Sequence, residues 1–185
     1  MDLFGFSRTD DELNNELIRG VEGLKLIPEF ISKEEEFMLL EAIDSSTWLQ
    51  DLQRRVQHYG YKYDYRARRI DPSFHIGQLP EWSMVIAKRI EDEGTIDYKL
   101  DQLIINDYEP GQGIAMHVDC EPCFEDTIFS VSLNSDIVMT LRPMNSKSSI
   151  DILLKRRSLL IISGESRYKY FHGIANRRSD HFNEE

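Results

Sequence analysis

Apolar residues in this chain change their spacing near Lys99: before it they recur every three or four positions, and after it every second. Leu24, Leu26 and Ile27 read as a short strand that Pro28 stops. Ser32-Lys33-Glu34-Glu35 has the form of a capping box, in which the hydroxyl accepts from the third helical N–H and the glutamate reaches back. With Phe37, Leu40, Glu41 and Ile43 following at helical spacing, the pattern predicts a helix over 32–44. A second helix runs from Pro80 to Gly94, with Trp82, Val85, Ile86 and Ile90 as its apolar face. Residues 1–20 are polar and are expected to lie loosely ahead of one domain over 21–185.

Beyond Lys99 the period is two. Phe129, Val131 and Leu133 alternate with Ser130 and Ser132, and Ile137, Met139 and Leu141 alternate with Val138 and Thr140. Ser158 to Ser163 is a buried apolar run, and Arg167 to His172 reads as another extended segment. Pro110-Gly111, Asn134-Ser135, 143–149 and Gly164 supply the turns. Helices followed by many short strands make the class α+β, with a sandwich or barrel as the strand-rich part.

Charge narrows the function. The 185 residues carry 33 acidic and 22 basic side chains, a net charge of −11, which disfavours non-specific coating of nucleic acid but leaves a local basic patch open. No apolar run is long enough for a membrane span. The N-terminus has no signal-peptide pattern, and two cysteines are too few for a secreted disulfide scaffold. A cytoplasmic protein is expected, or a nuclear one in a eukaryote; the pattern sets no oligomeric state.

The sharpest chemistry is His117-Val118-Asp119. On a strand, residues two apart share a face, so an imidazole and a carboxylate project together. His172 is the best third donor, since His58, His75 and His181 lie in polar segments. Two histidines and one carboxylate form the facial triad of non-haem Fe(II) oxygenases, which leaves three positions open for cosubstrate and O2.

Three blocks then carry a resemblance: Asn106-Asp-Tyr-Glu-Pro-Gly-Gln-Gly-Ile-Ala-Met-His-Val-Asp119, Ser130-Val-Ser-Leu133 and Gly164-Glu-Ser-Arg-Tyr-Lys-Tyr-Phe-His-Gly-Ile174. In order and spacing they resemble the AlkB family of Fe(II)/2-oxoglutarate dioxygenases, nearest the branch containing the AlkB domain of tRNA wobble-uridine hydroxylases. The resemblance implies a double-stranded β-helix (jelly-roll) core with two N-terminal supporting helices. It implies Fe(II) held by His117, Asp119 and His172, and 2-oxoglutarate held by Asn106 and Tyr108. Arg167 matches the family's Ser-Arg arginine, with bracing of the pocket or substrate contact as its role and a surface-exposed strand arginine as the alternative. The implied reaction couples decarboxylation of 2-oxoglutarate by O2 to hydroxylation or oxidative demethylation of a nucleobase in tRNA or DNA. The base must be single-stranded, looped or flipped out.

The stretch from Arg54 to Arg69 interleaves Tyr59, Tyr61, Tyr63 and Tyr65 with Arg54, Arg55, Lys62, Arg66, Arg68 and Arg69. Such a mixture suits phosphate contact plus stacking on an unpaired base, and in the family this region resembles the lid over the substrate nucleotide. Tyr61, Tyr63, Arg66, Arg68 and Arg167 are the substrate candidates; a plain β-hairpin with a solvated face is the alternative for the lid. Cys120 and Cys123 lack further zinc ligands and a helix N-terminus, so packing or loop shape is expected of them. The family's last strand, Arg-x-Ser-x-x-x-Arg, is not found before Glu185. Three readings follow: the domain lacks that strand, another residue such as Arg142 holds the carboxylate, or the chain is a non-catalytic binding module. A dioxygenase acting on a protein is a further alternative.

Overall fold

The computed structural model describes residues 9–50, 52–94 and 96–182. Two antiparallel sheets face each other as a jelly-roll core. One holds β1 (Leu24–Ile27), β8 (Leu159–Ile162) and β5 (Ile128–Val131) in the order β1-β8-β5; the other holds β4 (Ile114–His117), β9 (Tyr170–Ile174), β6 (Ile137–Pro143) and β7 (Ile150–Leu154) in the order β4-β9-β6-β7. A separate ribbon pairs β2 (Arg55–Tyr59) with β3 (Leu103–Asp107).

β8 shows why its sequence is apolar throughout. Leu160 and Ile162 point between the sheets onto Leu141, Ile152 and Leu154, whereas Leu159 and Ile161 point outward onto the helices. A strand buried on both faces has no position for a polar residue. The outer layer is α2 (Lys33–Asp44) and α3 (Glu81–Gly94), which place Leu39, Ile43, Ile86 and Ile90 against that sheet. These are the two supporting helices.

α2 begins as its sequence requires: Ser32 accepts from the Glu35 N–H at 3.1 Å, and Glu35 accepts from the Ser32 N–H at 2.8 Å. Its buried stripe is Glu36, Leu39 and Ile43, however, and Phe37 is 65% exposed. The buried Glu36 carboxylate is matched by Arg156 and by the Asn134 N–H, so a charge takes the place the apolar pattern reserved for Phe37. Val85 likewise turns outward at 66% exposure, because α3 seats Ile86, Ala87 and Ile90.

Residues 10–19, expected to lie loosely, form α1 (Asp10–Arg19), opened by a Thr9–Glu12 capping box; residues 1–8 lie outside the described residues. Buried Asn14 anchors α1: its side-chain amide donates to the Leu153 carbonyl and accepts from the Leu153 N–H, both at 2.8 Å. The amide thus stands in for a strand beside β7, an edge of its sheet. In β6, Val138 is buried as well as Met139 and Leu141, so the expected outward face is covered too. Arg167 falls on a short helix, α4 (Gly164–Tyr168), rather than on an extended segment; Ser166 folds back so that its hydroxyl bonds the Ser163 carbonyl. Among the described residues no helix is long and apolar enough to cross a membrane.

Candidate functional site

His117 ends β4, and its direct partner across the ladder is His172 in β9. Their rings lie 4.5 Å apart between centroids. Asp119 sits two residues past the end of β4 rather than on the strand, and its carboxylate meets both rings: Oδ1 is 3.6 Å from His117 Nε2, and Oδ2 is 3.5 Å from His172 Nε2. The three donor atoms fall within 4.8 Å of one another, close enough to hold one metal ion.

Backbone approach makes this possible. A Cβ on Gly173 would meet the Ile114 carbonyl oxygen at 2.8 Å and the Met116 N at 3.0 Å. β4 and β9 therefore close up only where a side chain is missing.

The electrostatics differ from ligand to ligand. His117 Nδ1 lies 2.8 Å from the Ala115 carbonyl, so the tautomer that donates there leaves the Nε2 lone pair facing the other ligands. Burial pulls His117 down, but the Asp119 carboxylate and the Ala115 carbonyl outweigh it, and its pKa is raised. His172 is deeper; burial drives it down to about 4 despite the pull of Asp119. Burial raises Asp119, yet the close approach of His117 and the surrounding positive charge leave its pKa lowered. Near neutral pH the cluster thus offers a neutral His172 and an ionised Asp119, both ready to bind a cation. Two imidazoles, one carboxylate and open space on the remaining side fit ferrous iron.

The triad opens onto a groove of about 1450 Å3 that runs between β3 and β5. Each of these strands has one edge without a strand partner among the described residues. Asn106 and Tyr108, the expected 2-oxoglutarate pair, line the same groove. Burial raises the Tyr108 pKa, which keeps its hydroxyl a donor. Asn106 Oδ1 accepts from Arg54 Nε at 2.7 Å, and the Arg54 guanidinium lies over both Tyr65 and Tyr108. The buried Tyr65 hydroxyl has no hydrogen-bond partner of ordinary geometry. A cation, an amide, a phenol donor and an orphaned hydroxyl side by side fit an acidic cosubstrate.

Arg54 and Tyr65 were not among the site candidates. Arg55 pairs with Asp107 in the β2–β3 ladder, which sets Arg54 beside Tyr108; only knowledge of that pairing could have found it.

Of the lid candidates, Tyr61, Tyr63 and Arg68 line the groove, while Arg66 is exposed and does not. The lid is not a regular hairpin. After β2 it holds only isolated bridges, Tyr61 to His75 and Asp64 to Arg69, and Asp64 Oδ1 ties the tip by accepting from the Arg66 and Ala67 N–H groups at 2.9 Å. Arg167 does not line the groove. It is 2% exposed and donates to the carbonyls of Asp119 and Cys120, at 3.0 and 3.5 Å. The Cys120–Cys123 pair, expected only to pack or shape a loop, is closed as a disulfide.

The 2OG-Fe(II) oxygenase superfamily matches residues 23–185. The chain is 41% identical over 169 residues to the tRNA (carboxymethyluridine(34)-5-O)-methyltransferase ALKBH8 of Macaca fascicularis, covering 85% of this chain and 25% of that protein. It is 35% identical over 201 residues to the Alkylated DNA repair protein ALKBH8 homolog of Arabidopsis thaliana, covering 97% of this chain and 56% of that one. The chain thus spans about a quarter to a half of the length of these relatives. The solved structure of OsALKBH1 superposes with a TM-score of 0.67 at 15% identity, covering 83% of this chain and 85% of that one, which is a likeness of fold. With the triad, the groove and these matches together, the chain belongs to the 2OG-Fe(II) oxygenase superfamily and, within it, to the AlkB family.

Proposed function

We propose that this chain oxidises a carbon on a nucleobase of tRNA, using Fe(II) at His117, Asp119 and His172 with 2-oxoglutarate beside Asn106, Tyr108 and Arg54. The observation that carries the reading is that the metal-ligand cluster and the aromatic, cationic lid share one groove. When bound, iron and 2-oxoglutarate supply the activation of O2 and the abstraction of a C–H hydrogen.

The chain's own residues do the rest. Tyr61 and Tyr63 offer stacking faces at the groove mouth, and Arg68 offers a guanidinium to a phosphate. The Tyr108 hydroxyl donates to a carboxylate, and Arg54, steadied by Asn106, sets a positive charge next to it. Arg167 fixes the peptide that follows the Asp119 side chain, which holds that ligand in place. An N-methyl carbon once hydroxylated collapses to formaldehyde, whereas a carbon-linked side chain keeps its hydroxyl.

Similarity to a protein named for tRNA supports RNA, and a cytoplasmic site of action suits such a substrate. The methyl transfer in that name is not carried over, because this chain spans a quarter of that protein. The test is iron-dependent succinate formation with tRNA, single-stranded DNA or peptide added in turn. Stimulation by tRNA alone is expected. Stimulation by peptide alone, or metal binding with no succinate under any condition, overturns the reading in favour of a protein substrate or a non-catalytic module.

A further inference from the structure

We infer that Cys120 and Cys123 form a reversible dithiol–disulfide site that governs how firmly the lid seats on the metal-bearing loop. This rests on the contact between lid and loop and holds whatever the substrate is.

The lid meets the segment 118–124, which carries Asp119, at three places. Tyr63 packs on Phe124 with ring centroids 5.3 Å apart. Arg68 Nη2 donates to the Val118 carbonyl at 3.1 Å. The Arg68 carbonyl oxygen lies 3.1 Å from Cys120 Sγ and 3.5 Å from Cys123 Sγ. Arg68 holds this position in the left-handed region, at φ 50°, a conformation a non-glycine residue keeps only when its neighbours impose it.

The third contact depends on oxidation state. In the disulfide neither sulfur carries hydrogen, so the Arg68 carbonyl faces two sulfurs and receives nothing from them. In the dithiol either S–H donates to that oxygen, as a weak hydrogen bond. The oxidised pair touches the lid without holding it; the reduced pair holds it.

The loop itself survives reduction. The Cys120 carbonyl accepts from the Cys123 and Phe124 N–H groups at 3.1 and 3.2 Å, and from Arg167 as well. None of these bonds needs the S–S bond. The switch therefore acts on the lid and leaves the metal ligands where they are.

Access decides the chemistry. Cys120 is buried at 5% exposure and Cys123 is half-buried, so an external thiolate attacks Cys123 Sγ. The S–S bond breaks, and Cys120 Sγ leaves with the electron pair and takes a proton from water. A second external thiol attacks the mixed disulfide. The protein gains two S–H groups, and two external thiols become one external disulfide. Hydrogen peroxide reverses this, forming the S–S bond and two molecules of water.

The test is hydrogen exchange by mass spectrometry on the full chain loaded with Mn(II), which keeps the metal out of the thiol chemistry. Oxidised and dithiothreitol-reduced protein are compared, alongside Cys120→Ser/Cys123→Ser and Cys120→Ala/Cys123→Ala. Reduction should slow exchange across residues 61–69 about threefold, the worth of one weak hydrogen bond, and leave β6 and β8 unchanged. The serine variant, whose hydroxyls donate, should be slow in either condition, and the alanine variant fast in either. Equal lid exchange in the two forms of the natural chain overturns the inference, whatever the variants do. So does a folded protein that dithiothreitol cannot reduce, read as the absence of a two-hydrogen mass gain.

Discussion

Arg167 donates from Nη1 to the backbone carbonyl of Asp119 at 3.0 Å while 2% exposed, so a buried cation holds the peptide of the proposed metal-ligand carboxylate. Replacing it with methionine keeps the bulk but leaves the Asp119 and Cys120 carbonyls without this donor. Stability should fall by about 2–4 kcal/mol in urea unfolding. Mn(II) affinity should fall by roughly tenfold, as for loss of a supporting hydrogen bond behind a ligand. Unchanged metal affinity in a folded variant would show that Asp119 does not need the brace.

Protonation of the triad predicts a pH profile for the metal-free protein. His172 titrates at about 4 when folded against 6.5 as a free imidazole, so between those values the unfolded chain binds the proton more tightly. Stability is lost as pH falls through this window, by roughly 3 kcal/mol at about 1.4 kcal/mol per unit. His117 has the opposite sign. Its raised pKa contributes stability below the unfolded value, and that contribution disappears as pH rises through the folded one. Thermal unfolding should therefore peak near the ordinary imidazole range, and His172→Gln should flatten the acid limb. Mn(II) should steepen that limb in the natural chain, because protons then displace the ion.

The role given to Tyr108 is open to a single-atom test. Tyr108→Phe should weaken 2-oxoglutarate binding to the Mn(II)-loaded chain by about 0.5–1.5 kcal/mol, measured by calorimetry. Arg54→Leu should cost more, since a charge-assisted bond is roughly twice as strong as a neutral one. Equal affinities for all three proteins would remove both residues from the cosubstrate site.

Arg68 faces the groove and Arg66 does not, so the two should separate in RNA binding. Arg68→Gln should weaken tRNA retention and lower the salt slope by about one unit, as for loss of one phosphate contact. Arg66→Gln should change both less. The reverse order would mean that the backbone of the RNA runs along the outside of the lid.

Much of this molecule could be read before folding it. The capping box at Ser32 and the all-apolar run of β8 each encode a local geometry, and the nearness of His117 to Asp119 could be read too, although Asp119 lies past the strand that the spacing argument assumed. What stayed hidden depends on pairing across long distances. Arg54 becomes part of the site only because β2 lies against β3, and Arg167 is spent on a loop that only the fold brings to it. Phe37 misled because the burial of Glu36 is decided by Arg156, far along the chain. The Asn14 amide gave no periodic signal at all, since one side chain stands in for a strand.

The narrow crossing at Gly173 has a consequence for how the molecule checks its own assembly. His172 and Gly173 are chain neighbours, one needed opposite His117 and the other needed where β4 comes too close for a side chain. A slip of one residue along β4 would turn His172 to the far side of the sheet and drive its side chain into the Ile114–Met116 backbone. Only the correct alignment both packs and presents three ligands to one point. At the proposed metal site, an ion in the surrounding solution would therefore stabilise correctly aligned chains over slipped ones.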